Sequence, residues 1–165
     1  MKENRTLFIT SAAFIAALYV VLTFLANAFG LASGVIQVRL SEALCILPFF
    51  TPAAIPGLFI GCLLANLLTG CCLLDIVFGS LATLIGASLG YLLRKYKYAI
   101  PVPTILANAF IVPFVLIYGY GEPLPYWYLF GTVGAGEVIS AGALGIILMT
   151  ALMQVPYFRS AVTES

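Results

Sequence analysis

Long apolar runs with almost no charge inside them decide what this chain can fold into. Residues 7–29, for example, contain no Asp, Glu, Lys or Arg. A helix of roughly 20 such residues matches a hydrocarbon core about 30 Å thick. In lipid a helix also satisfies its own backbone polar groups, which an open strand cannot do. Composition points the same way: 63% of the chain is hydrophobic and 8% charged, with a mean hydropathy of +1.15. A water-exposed surface needs more charge than that to stay in solution.

Six segments carry this character: 7–29, 40–50, 53–68, 75–93, 100–118 and 127–153. The expected fold is an all-α integral membrane protein, a six-helix bundle forming one transmembrane domain over the 165 residues. Pro48 and Pro52 are expected to close the second segment, and Pro56 lies in the first turn of the third, where a missing N–H does little harm. A single helix broken at these prolines is the other reading of that region.

Loop charge sets the expected orientation. Lys2, Arg5, Arg94, Lys95, Lys97 and Arg159 fall on one side of a six-span chain, whereas Arg39 stands alone on the other, six basic residues to one. Because basic loops stay inside, both termini are expected in the cytoplasm. The net charge of +1 is dispersed, so nothing suggests nucleic acid as a partner.

With that topology the polar residues collect in the outer half. Asn27 ends the first span there; Gln37, Arg39, Ser41 and Glu42 enter the second; Asn66 closes the third and Asp75 opens the fourth. Asn108 lies at mid-depth in the fifth. Glu137 sits ten residues into the sixth, roughly 15 Å down at 1.5 Å per residue. An acid at that depth costs on the order of 2.5–3.5 kcal/mol on insertion scales, so it faces a cavity or a partner. Glu137, Asp75, Asn108, Asn66, Glu42, Arg39 and Asn27 are therefore the candidate substrate-binding residues. Each has a plainer role available. Asp75 stands where a helix cap would stand, Arg39 and Glu42 are spaced to pair on one helix face, and asparagines bond neighbouring helices. Tyr118, Tyr120, Tyr126, Trp127 and Tyr128 read as an interfacial aromatic belt placed at the pocket mouth.

The first span also carries two overlapping Ala-x-x-x-Ala pairs, Ala12 with Ala16 and Ala13 with Ala17. Residues four apart share a face, so these alanines form a flat strip for close helix packing, either within the molecule or against a partner. Cys45, Cys62, Cys71 and Cys72 lack histidine neighbours and C-x-x-C spacing, so no metal is expected. No phosphate-gripping loop and no nucleophile–base constellation are present. A solute pocket without a motor implies an external motor or passive operation; no cofactor is expected, and without a metal set or activated nucleophile an integral membrane enzyme is the least favoured reading. A solitary facilitator, a secondary transporter and a solute-free assembly protein remain the alternatives from composition alone.

The stretch Val38-Arg39-Leu40-Ser41-Glu42-Ala43-Leu44-Cys45-Ile46-Leu47-Pro48-Phe49-Phe50-Thr51-Pro52-Ala53-Ala54-Ile55-Pro56-Gly57 resembles the signature of the QueT family. Gly61-Cys62-Leu63-Leu64-Ala65-Asn66, Asp75-Ile76-Val77-Phe78-Gly79-Ser80-Leu81-Ala82-Thr83-Leu84 and Gly136-Glu137 are similar as well. The resemblance implies a substrate-binding S component of an energy-coupling factor (ECF) importer, a kind of ABC transporter in the plasma membrane. It implies capture of a queuosine precursor from outside (preQ0, preQ1 or queuine, the 7-deazaguanine class), with another small vitamin or heterocycle as the alternative cargo. The implied partners are a transmembrane coupling subunit and two cytoplasmic ATPases. It further implies that an Ala-x-x-x-Ala motif on the first helix is the docking surface, matched by Ala12/Ala16 or Ala13/Ala17.

Overall fold

A computed structural model describes residues 5–31 and 37–163, the side chains of 160–163 excepted. Among these residues every regular element is helical. Helix α1 spans Arg5–Ala28, α2 is a 3₁₀ helix over Leu40–Phe49, and α3 spans Ala54–Leu68. Helix α4 covers Asp75–Leu92 and α5 covers Pro101–Tyr120 after a short 3₁₀ turn, Lys97–Ala99. Helix α6 runs over Tyr126–Leu152, and the amphipathic α7 over Pro156–Thr163. Four helices (α1, α4, α5 with its preceding turn, and α6) are long and apolar enough to cross a membrane, while α2 and α3 are shorter apolar helices.

The second and third segments are separate helices, not one broken one. Proline placement explains the join: the chain turns through Phe50–Ala53, and Pro56 enters α3 in its first turn. Pro48 does not terminate α2 as expected but lies within it, buried. Every residue from Ser41 to Pro48 is buried, because α2 packs against α1, α4 and the second half of α6 at once. A 3₁₀ helix rises about 2.0 Å per residue, against 1.5 Å for an α-helix, so ten residues reach further through the bundle than their number suggests.

In lipid the hydrophobic effect does not press helices together, so close backbone contact must hold them. Gly57 and Gly61 provide it between α3 and α1. A Cβ at Gly57 would lie 2.8 Å from the Ala12 carbonyl oxygen, and one at Gly61 would lie 2.7 Å from Tyr19 Cβ and 3.1 Å from Ala16 Cα. Ala12 and Ala16 are accordingly buried in this seam, so of the two alanine pairs this one packs inside the molecule. Ala13 and Ala17, about 100° further round the helix, stand exposed beside the exposed Phe14. Gly86 plays the same part between α4 and α5, where a Cβ would come within 2.7 Å of Thr104 Cα.

Two stretches widen into π-helix: Asp75–Gly79 at the start of α4, and Val138–Leu144 inside α6. A π turn redirects side chains out of the 3.6-residue register, and such turns occur often at functional sites. Here Asp75 opens one of them and Glu137 immediately precedes the other.

Candidate binding site at one end of the bundle

The polar residues named from sequence collect at one end of the fold. The lining comes from the C-terminal ends of α1, α3 and α5 and the N-terminal parts of α2, α4 and α6, as an up-and-down bundle requires. Two adjoining cavities occupy this end. The first, of about 350 Å³, is lined by Asn27, Arg39, Asn66 and Asp75 together with Tyr19 and Tyr120. The second, of about 290 Å³, is lined by Glu137, Thr132 and Tyr128. Gln37, Arg39, Val112, Leu116 and Glu122 border both, so the extended segment entering α2 forms much of the partition.

Asp75 does not cap α4; no side-chain capping bond is made there. Its carboxylate instead accepts a hydrogen bond from the Tyr120 hydroxyl at 2.9 Å and faces Arg39 Nη2 at 3.9 Å, both on Oδ2. Arg39 therefore pairs across to α4 rather than with Glu42 on its own helix. The second oxygen, Oδ1, is buried without a hydrogen-bond partner. Gly79 gives that oxygen its space, since a Cβ there would lie 2.8 Å from it. The Asn66 amide donates to the Asp75 backbone carbonyl at 3.1 Å and ties α3 to the opening turn of α4.

Glu42 and Asn108 lie beneath the cavities, each 1% exposed, and line neither. Glu42 accepts a 2.5 Å hydrogen bond from the Tyr19 hydroxyl, which reaches it from α1. Asn108 lies close to both Glu42 and Glu137, yet its amide nitrogen has no hydrogen-bond partner. Glu137 is 5% exposed, borders the second cavity, and leaves Oε2 equally unpartnered. A buried polar atom without a partner typically costs about 1–3 kcal/mol, and such atoms deserve a cause. Three of them, on Asp75, Asn108 and Glu137, lie at or beneath this cavitied end.

The partition is held from α6. The Arg39 backbone N–H donates to Ser140 Oγ at 3.0 Å, and the Gln37 carbonyl rests directly over Gly136, where a Cβ would overlap it. By contrast nothing lies within 4 Å of a Cβ built at Gly131, and the nearest atom to one at Gly134 is 3.7 Å away. Gly136→Ala is thus expected to displace the Gln37–Arg39 segment and weaken ligand binding by about tenfold or more. Gly131→Ala and Gly134→Ala should leave it within about threefold. Equal affinity in all three variants, measured calorimetrically, would show that the partition plays no part.

Sequence reasoning passed over Tyr19, which is an isolated polar ring in an apolar span, and it assigned Tyr120 to the aromatic belt. Tyr118 and Trp127 are exposed as a belt requires, being 75% and 72% accessible, but the Tyr120 hydroxyl is turned onto Asp75. Cys71 borders the first cavity and the Cys72 backbone N–H donates to Tyr120 at 3.3 Å, so the Cys71-Cys72 turn shapes the same rim.

Residues 9–154 match the model of the QueT transporter family, which is most of the chain. The chain belongs to the QueT transporter family. A protein of Lactococcus lactis subsp. cremoris (strain MG1363) described as the queuosine precursor transporter QueT is 40% identical over 93 residues. That match spans 56% of this chain and 54% of the relative. No solved structure matches the chain.

Proposed function

We propose that this chain is the substrate-binding S component of an ECF importer, taking a queuosine precursor (preQ0, preQ1 or queuine) from outside for delivery inward. The family match supports the solute class, and the unpartnered buried atoms of Asp75, Asn108 and Glu137 around joined cavities support a site that awaits a polar, planar ligand. All six segments of the bundle span or fill the plasma membrane in this reading, with both termini cytoplasmic by the charge of their flanks. The amphipathic α7, whose Phe158 packs on Phe50 at 5.3 Å, then lies at the inner face.

Recognition follows from donor and acceptor geometry. A 7-deazaguanine presents N1–H and its exocyclic amine side by side, a pair that suits one carboxylate. Glu137 takes that edge, with Asn108 beside it and Asn66 and Asn27 at the opposite rim. The deciding experiment is calorimetric titration of the purified chain with preQ0, preQ1, queuine and guanine. A queuosine precursor should bind and stabilise the fold as its concentration rises; no binding by any precursor would refute the assignment.

Coupling to a transmembrane subunit and two ATPases uses α1 in this proposal, through the exposed Ala13/Ala17 pair rather than the buried Ala12/Ala16 pair. Ala17→Trp should abolish uptake in cells expressing the ATPase module while leaving ligand affinity within about threefold. Ala12→Trp should instead destabilise the chain itself, because it enters the seam with Gly57. Uptake by Ala17→Trp at the normal rate would place the docking face elsewhere, and uptake without any ATPase module would favour a solitary facilitator.

A further inference from the structure

Charge is distributed around the cavities in a way that residue chemistry alone turns into a preference. The chain has six acidic and seven basic side chains. Of the acids, Asp75, Glu122 and Glu137 border a cavity, and Glu42 lies directly beneath, held by the cavity-lining Tyr19. The other two, Glu3 and Glu164, fall outside the described residues. Of the basic residues among those described, Arg39 alone borders either cavity. Carboxyl groups outnumber the one guanidinium at these cavities, so the site is richer in hydrogen-bond acceptors than in cationic donors.

Asp75 is the group best placed to use that surplus. It is 5% exposed, and its pairing with Arg39 at 3.9 Å is too long for a hydrogen bond, so the guanidinium neutralises it at a distance without occupying its acceptors. Tyr120 occupies Oδ2, and Oδ1 has no hydrogen-bond partner. A primary or secondary ammonium brings two or three N–H donors and a charge, which is what such an oxygen lacks. Glu137 borders the neighbouring cavity, which shares Gln37 and Arg39 with the first, so the two carboxyl groups stand in adjoining chambers.

We propose that the site is bipartite and selects cationic members of the precursor class: Glu137 takes the guanine-like edge, and Asp75 takes an ammonium carried on the 7-substituent. This rests on the precursor assignment above and adds a charge preference to it. Aminomethyl-7-deazaguanine and its N-substituted derivatives would be favoured over the neutral nitrile, and the surplus of carboxyl groups would disfavour phosphorylated or carboxylated analogues.

The test compares three ligands on the full-length chain in nanodiscs by calorimetry: the 7-aminomethyl, 7-hydroxymethyl and 7-cyano 7-deazaguanines. The hydroxymethyl compound has the size of the amine without its charge. The amine should bind about tenfold or more tighter than either neutral ligand. In Asp75→Asn that gap should shrink to about threefold or less, with affinity for the nitrile nearly unchanged. Equal wild-type affinities for amine and hydroxymethyl compound would overturn the charge preference, even if Asp75→Asn does not fold. A gap that survives in a folded Asp75→Asn would overturn the role of Asp75. Failure of all three ligands to bind would instead overturn the precursor assignment, and the preference with it.

Discussion

Glu137→Gln is expected to lower affinity for a 7-deazaguanine about 100-fold, with little change in the unfolding temperature. The carboxyl group is 5% exposed and its Oε2 has no hydrogen-bond partner, so it holds acceptor capacity that a ligand can use. Two adjacent N–H donors satisfy both oxygens. Glutamine keeps the shape but presents one acceptor and one donor, and its amide N–H faces a ligand N–H. Hydrogen bonds to a charged group contribute about 1.5–3 kcal/mol each, so losing one and opposing the other removes roughly 3 kcal/mol. The fold should tolerate the change because a neutral amide is easier to bury than a carboxylate. Calorimetry together with a thermal melt separates the two effects. Affinity within about threefold of the parent would remove Glu137 from the ligand contacts.

The second large effect is structural. Gly61→Leu should cost at least the 1–3 kcal/mol typical of an overfilled core and leave little folded protein after detergent extraction. The added side chain would start 2.7 Å from Tyr19 Cβ and 3.1 Å from Ala16 Cα, and the latter is backbone that cannot swing aside. Displacing Tyr19 would also loosen its 2.5 Å hydrogen bond to Glu42, so any surviving protein should bind ligand poorly. Leu64→Ala, on the exposed side of α3, is the control and should change stability by about 0.5 kcal/mol or less. If Gly61→Leu melts at the temperature of Leu64→Ala, the α1–α3 seam does not support the bundle.

Both expectations lean on different kinds of information. The acidic residue at 137 was visible in the chain itself, because a carboxyl ten residues into an apolar run has no inexpensive place to go. The glycine at 61 was not singled out by its sequence, although Gly57 and Gly61 have the four-residue spacing that serves close helix packing. Its meaning appears only when α1 lies across α3 and one alanine pair fills the facing groove. The same crossing leaves Ala13 and Ala17 outside. Two pairs one residue apart are equivalent in sequence; they differ by about 100° around the helix, and only the neighbour distinguishes them.

By itself the amino-acid sequence determined the solvent, the helical class, the position of the apolar segments to within a few residues, and which side chains were too polar to face lipid. These follow from local composition, since a bilayer penalises each exposed polar group wherever it falls along the chain. Tertiary structure alone decided that Asp75 meets Arg39 and Tyr120, that Glu42 is held by Tyr19, that α2 is a buried 3₁₀ pillar, and that one extended segment divides the polar end into two chambers. Those are relations between residues 23 to 45 positions apart or more in chain, and no local pattern encodes which helix faces which.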